Sequence, residues 1–429
     1  MDILNILKHQ LEVVDDSVST KQLIDQLVST GSPEQPVRLV ELDNVVKRHC
    51  EWLHHLPRVH PFYNVQCNDD SRILGTAVLL DCGFVCASRA EIGKILSLGV
   101  DPNWIILSQP EISVELLKFA RRKSVKLMVD SEDELHQIQQ YYPEAEILIR
   151  FNFKSTQATD VDNYDPDRKC QRLLNLSREL ALNVIGWCWS NIEPDCSNYS
   201  ILYDVLRKGR EIVDYAMILG FSFRLFSIGG GFAGGKDANV DQFAVHINQG
   251  LDEFFPERDG LTFIADTGKL YSAAAVTVVT AICDKQIFQN PKLPAQIERI
   301  FYYLNYRVRA GDSKEGVKPL VWKSLRNCRA MCKADVFGPV GDGFVCLERD
   351  MVLPELNVSD FLVFEDQGCS LRGVSVRLDE GSSPTSVVVI RRTMWEYLRL
   401  FANTSHPRQL IEGSKYLQKE WKIDKLIYE

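Results

Sequence analysis

"VIGWCW" (184–189), "ILYDVLRKGREIVDYAMILG" (201–220) and "FRLFSI" (223–228) together decide the fold. The first and third are short apolar runs rich in β-formers, bounded on the length scale of a strand. Between them Leu202, Val205, Leu206, Ile212, Val213, Ala216 and Met217 recur at helical spacing, and Gly220 supplies the stop. A strand, a helix and another strand follow in order.

The same alternation runs back to residue 61. Short β-rich runs stand at "PFYNVQ" (61–66), "FVCAS" (84–88), "WIIL" (104–107), "VKLMV" (125–129), "EILIRF" (146–151) and "LTFIAD" (261–266). Helical patterns lie between most of them, such as "RAEIGKILSLG" (89–99), which ends at Gly99. Eight strands separated by helices fit an α/β fold of the (β/α)8 barrel type, whose parallel strands are buried and read as continuous apolar runs. A doubly wound sheet is the rival, because counting strands does not prove closure.

After about residue 273 the rhythm changes. "AAVTVVTAIC", "RIFYYLNYRVR", "FLVFED" and "TSVVVIRR" succeed one another with turn-rich connections and little helix, as in a mostly antiparallel β domain. The expected organisation is an N-terminal segment (1–36) associating with the β domain, a barrel domain (37–273), and a C-terminal β domain with a helical tail (274–429). "GSPEQP" (31–36) reads as a connector, and "VRLVEL" (37–42) could join either unit.

Composition bounds the function. In 429 residues, 45% hydrophobic and 25% charged, Lys plus Arg total 49 against 58 for Asp plus Glu, a formal charge of −9. That argues against a general nucleic-acid or anionic-membrane binder. The start, "MDILNILKHQLEVVDD", lacks a basic region, an apolar core of secretory length and a cleavage site. No run approaches the roughly 20 apolar residues of a membrane helix. The twelve cysteines are scattered through core-like runs, including Cys50, Cys82, Cys86, Cys188 and Cys283, as expected of reduced thiols in a cytoplasmic protein. Cys328 and Cys332 are four apart with no second Cys or His pair nearby, so no metal site is expected.

Two stretches carry chemistry on their residues alone. Gly229, Gly230 and Gly231 follow a predicted strand directly, and three glycines let backbone amides approach a phosphate without Cβ obstruction. A tight strand-to-loop turn accounts for them too. Asp266 ends the last barrel strand, where a barrel enzyme places function, and Lys269 follows three residues on. The carboxylate suits a pyridinium nitrogen and the ammonium a phosphate; a capping Asp and a solvated Lys are the plainer alternative.

"PRVHPFYNVQCNDD" (57–70), "GFVCASRAEI" (83–92), "IGGGFAGG" (228–235), "ADTGKLY" (265–271), "FGPVGDG" (337–343) and "LPELNVSDFLVFEDQG" (353–368) stand in the order and at the spacings of one family. From about residue 37 to 392 the chain resembles the eukaryotic ornithine decarboxylases, a family that includes the antizyme inhibitors. The resemblance implies a barrel that binds pyridoxal phosphate (PLP), a β domain, and a head-to-tail homodimer with shared active sites. In the family's "PFYAVKCND" motif the lysine holds PLP covalently as an imine. Here that position is Gln66, and an amide nitrogen, its lone pair delocalised, cannot form that bond.

Further departures accompany it. The family's ring-stacking histidine aligns with Ser190 and the serine of the same motif with Glu193. The cysteine that guides protonation aligns with Gly341, and the "GAY" tyrosine with Ser370. The aspartate of "FDCAS" aligns with Val85, and "YVNDGVYG" has become "YLNYRVRA", with Tyr306 and Arg307 in place of Asp and Gly. Arg150, Glu91, the three glycines and Asp342 match, while Asp266 and Lys269 keep the charges of the family's "EPGR" motif at different reach. The resemblance therefore implies no intact catalytic set, with Gly229, Gly230, Gly231, Arg150, Asp266 and Lys269 as a vestigial cofactor pocket. No cofactor is expected, non-covalent PLP or another phosphate ligand being the alternative.

Antizyme inhibitors bind antizyme, the protein that otherwise captures ornithine decarboxylase for degradation. The family's antizyme-binding element matches residues 118–142, where Arg121, Arg122, Lys123 and Lys126 form a cationic cluster able to steer an acidic surface. Lys and Arg also favour helix C-termini for local reasons. The leading expectation is a catalytically inactive, antizyme-inhibitor-like regulator of polyamine metabolism, monomeric or weakly dimeric. The alternatives are a regulatory subunit of an active decarboxylase paralogue, and a diverged amino-acid decarboxylase or phosphate-ligand binder with residual lyase activity.

Overall fold

The computed structural model describes residues 3–30, 36–151, 166–189, 199–256, 260–290, 293–305, 320–322, 331–340, 343–369 and 385–403. It divides into two compact units, one of residues 1–7, 45–271 and 397–429, the other of residues 8–44 and 272–396.

The first unit is a closed parallel barrel. Its strands are Val59–Asn64, Gly83–Cys86, Ile105–Ser108, Lys126–Val129, Glu146–Phe151, Asn183–Trp189, Leu225–Ser227 and Thr262–Asp266, each paired with the next. The eighth returns to the first with Asp266 opposite Phe62, which settles closure against a doubly wound sheet. All eight strands feed one interior cluster. Phe62, Ile106, Met128, Leu148, Ile185, Cys188 and Ile264 are buried there, and Val85 and Leu225 pack against them. The barrel is a packed core rather than a pore.

Helices follow the local rules of the sequence. Ser88 caps Arg89–Ser97 by accepting from the Glu91 amide, and the Glu91 carboxylate reaches back to accept from Ala87 N at 2.7 Å. Ser131 and Glu134 repeat the arrangement ahead of Glu132–Tyr141. Gly99 and Gly220 stop their helices at φ +84° and +89°. In Ile201–Ile218 the expected stripe is buried except at Met217, which is 53% exposed. One residue beyond Ala216 turns it about 100° off the buried face.

The second unit is a mixed nine-stranded sheet. Glu12–Val14, Thr385–Arg391, Val37–Glu41, Val276–Asn290, Leu293–Leu304, Met331–Val340 and Gly343–Pro354 lie in that spatial order, and Phe361–Phe364 and Leu320–Trp322 complete it. Val37–Glu41 thus joins the sheet, antiparallel to Val276–Val279 and parallel to Thr385–Val389. The sheet is mostly antiparallel, with parallel ladders where Val37–Glu41 and Glu12–Val14 meet Thr385–Arg391 and where Ile300–Tyr303 meets Ala334–Phe337. Arg391 binds Glu41 and Asp43, each at 3.1 Å, and burial nonetheless pushes the Asp43 carboxyl above its ordinary range. Among the described residues no helix is long and apolar enough to cross a membrane.

Candidate functional site

The carboxyl ends of the barrel strands bring together Asn64, Arg150, Cys188, the glycine run and Asp266. Asp266 is at the centre. Its Oδ2 accepts from Asn64 Nδ2 at 2.8 Å, its Oδ1 from the Gly268 amide at 3.0 Å, and its own amide donates to the Gly229 carbonyl at 2.7 Å. Burial raises the pKa of this carboxyl, and the bonds from Asn64 and Gly268 oppose the rise.

The glycine run is required by packing whatever else it binds. Gly229 has φ +88°, and a Cβ there would lie 2.6 Å from the Trp189 carbonyl oxygen. A Cβ on Gly230 would lie 2.6 Å from Asp266 Cβ. The loop beyond is held by Arg48, whose guanidinium donates to the carbonyls of Gly235, Lys236 and Ala238, and by Phe232 against Trp52 and Phe243. Beside Gly230 and Gly231 the cavity bounded by Trp189, Tyr199 and Phe232 is about 10 Å³, the room of one water. An open surface depression, about 660 Å³, lies at the opposite end of the barrel among Arg178, Asn183, Ser222 and Arg224.

Arg150 donates to Ser108 Oγ and stands 3.9 Å from Asp130 Oδ2, while its buried Nε has no partner among the described residues. Cys188 faces the same interior. Burial pushes its thiol up to about 11, with Ser227 and Arg150 working against the rise, so it is a neutral thiol rather than a nucleophile. Val85 packs against the apolar interior. Lys269 is partly buried at the start of Gly268–Ser272.

Gln66 departs from its expected setting. The first strand ends at Asn64 rather than at 66, and Gln66 is exposed in the turn beyond it. The cause is local: Asn64 Oδ1 accepts from the Gln66 backbone N–H at 3.1 Å, which turns the chain off the sheet. Asn64 is the residue that sequence reasoning missed. Its signal was visible in "PFYNVQCND", where an amide stands in the place of the family motif's alanine. Glu91, matched by motif, serves as a helix cap.

The cationic cluster lies at the amino end of the fourth strand, away from this site. Arg121 pairs with Glu144 at 2.6 Å, the Arg122 guanidinium lies 5.9 Å from the centre of the Phe119 ring, and Lys123 is exposed. Lys126 differs from the rest: its side chain is 12% exposed, donates to the Asn103 carbonyl at 2.7 Å and pairs with Glu146 at 3.2 Å. Ser190, Glu193, Tyr306, Arg307, Gly341, Asp342 and Ser370 lie outside the described residues.

Comparison with known proteins fits this geometry. Residues 42–273 match the family model described as pyridoxal-dependent decarboxylase, pyridoxal binding domain. The chain is 28% identical over 420 residues to an ornithine decarboxylase of Rattus norvegicus, covering 93% of this chain and 91% of that one. It is 27% identical over 413 residues to antizyme inhibitor 2 of Xenopus laevis, covering 92% and 90%. Among solved structures, the arginine decarboxylase of Paramecium bursaria Chlorella virus superposes with a TM-score of 0.75 at 22% identity, over 86% of this chain and all of that one, which establishes the shared fold.

Proposed function

The chain belongs to the pyridoxal-dependent decarboxylase family, alongside ornithine decarboxylases and antizyme inhibitors, and we propose that it is a catalytically inactive member that regulates polyamine metabolism by binding antizyme. Gln66 carries the reading. At the position of the family's imine-forming lysine stands an exposed amide with no nucleophilic lone pair. The family's protonation-guiding cysteine is replaced by Gly341 and its ring-stacking histidine by Ser190, so proton delivery and ring orientation are lost as well. Proton transfer by a positioned side chain is worth about 10² to 10⁴ in rate, so these losses compound.

What survives is a surface. The match to ornithine decarboxylase runs along nearly the whole chain, which supports recognition by a protein that captures that enzyme. The exposed cations Arg121, Arg122 and Lys123 favour an acidic partner surface, with the chain acting in the cytoplasm as a decoy.

The test is a titration of this protein into active ornithine decarboxylase held inhibited by limiting antizyme, beside a titration without antizyme. Dose-dependent recovery of decarboxylase activity only when antizyme is present is the expected outcome. No recovery with competent antizyme overturns the decoy. A change in the antizyme-free control would instead favour direct pairing with the enzyme.

A further inference from the structure

Pyridoxal phosphate presents a ring nitrogen that, protonated, is an N–H donor requiring a carboxylate acceptor, and a phosphate requiring amides or cations. The residues here do not fit the ring. Gln66 supplies no amine, and Asp266 accepts one bond at each oxygen from within the chain, with Gly230 packed against its Cβ and Gly268 against Asn64, so that the Asn64 amide stands where a ring N–H would approach. We propose that Asn64 takes over the hydrogen bond that a pyridinium nitrogen would make to Asp266, so that the barrel mouth is closed by the protein's own amide and the ring of the cofactor is not held.

Asn64 is oriented at both ends. Its Oδ1 accepts from the Gln66 backbone N–H at 3.1 Å while its Nδ2 donates to Asp266 Oδ2 at 2.8 Å. Exchanging the two ends would set an oxygen against the carboxylate and an NH₂ against an N–H, two repulsive contacts in place of two bonds. The backbone leaves little slack. Gly268 sits so close that a Cβ on it would lie 2.9 Å from Asn64 Cβ and 2.7 Å from Cys67 Sγ. Gly230 closes the other side of Asp266 in the same manner. The bond also spans the barrel's closing seam, since the first and eighth strands pair through Phe62 and Asp266. Asn64 thus joins first strand to last at the place where a ligand would otherwise bridge them.

The probe is pyridoxamine 5′-phosphate, which has the ring nitrogen and the phosphate but no aldehyde, so that covalent capture does not enter. Binding is measured by equilibrium dialysis for the unaltered chain and for Asn64→Ala and Asn64→Ser, with inorganic phosphate titrated in parallel. The expected result is affinity for pyridoxamine phosphate about tenfold higher in the variants, the scale of one charge-assisted hydrogen bond, with phosphate affinity unchanged. Equal affinity across the three proteins overturns the proposal. An equal gain for inorganic phosphate does so too, because the ring would then not be the discriminated group. If neither variant folds, the unaltered chain decides: it must prefer pyridoxamine phosphate no more than inorganic phosphate, and a strong preference for the ring compound sinks the assignment. No partner protein enters these titrations, so their outcome and that of the antizyme experiment are read separately.

Discussion

Arg48 Nη2 donates to the Gly235 carbonyl oxygen at 2.7 Å, fastening the loop after the glycine run to the helix Leu42–His55. The same guanidinium bonds the Lys236 and Ala238 carbonyls and pairs with Glu51 at 2.6 Å, its side chain almost wholly buried. Replacing Arg48 by Ala strands three carbonyls and a carboxylate. Stability should fall by about 3 kcal/mol in urea unfolding. Amide exchange should quicken first between residues 232 and 240. Uniform loosening of the whole barrel would contradict the clamp.

His49, one residue on, supplies a pH prediction. Its Nδ1 lies 3.1 Å from the Tyr271 hydroxyl, its Nε2 has no partner among the described residues, and burial holds its pKa down to about 3. In the unfolded chain the imidazole returns to its ordinary value near 6.5. As pH falls below 6.5 the unfolded state takes up the proton first. The stability contribution is therefore complete above 6.5 and declines toward 3, by about 1.4 kcal/mol per pH unit. His49→Leu should shallow the acid limb of stability against pH by one proton's worth; an unchanged slope would exclude His49 as its source.

Restoring an amine at Gln66 should not restore chemistry. Gln66→Lys places the group on an exposed turn, with glycine at 341 and serine at 190 still present. Carbon dioxide release from ornithine should stay at the level of the unaltered chain. Turnover approaching that of an active decarboxylase would refute the inactive reading.

The cationic cluster divides into two roles. Arg121, Arg122 and Lys123 are exposed, whereas Lys126 is largely enclosed by its bonds to Asn103 and Glu146. Reversing the first three to Glu should weaken antizyme binding about tenfold or more, increasingly so at low salt, while the lost Arg121–Glu144 pair and the reversed helix-end charges lower stability by only about 1 to 2 kcal/mol. Lys126→Ala should cost about 1 kcal/mol of stability and leave the affinity alone. The opposite pattern in calorimetry would reassign both.

The strand runs were legible because buried parallel strands are apolar throughout. "EILIRF" coincides with the strand Glu146–Phe151, and "VIGWCW" falls one residue short of Asn183–Trp189. "PFYNVQ" overran by two residues because a side chain, Asn64, ends the strand, and periodicity does not register such bonds. Closure was not legible either, since pairing between Phe62 and Asp266 is a fact of tertiary geometry. The glycine run announced itself by composition. The His49–Tyr271 pair did not, because a lone histidine in a helical pattern carries no sign of what it will face.

Two ladders set an order of events during synthesis. The barrel seam joins strands from opposite ends of the barrel's sequence, so a nascent chain holds seven strands with open edges until Thr262–Asp266 emerges. Val37–Glu41, made among the first, waits longer still for its parallel neighbour Thr385–Val389. Through most of translation this protein therefore presents unpaired strand edges to the cell, and its yield will depend on chaperone supply more than its final packing suggests.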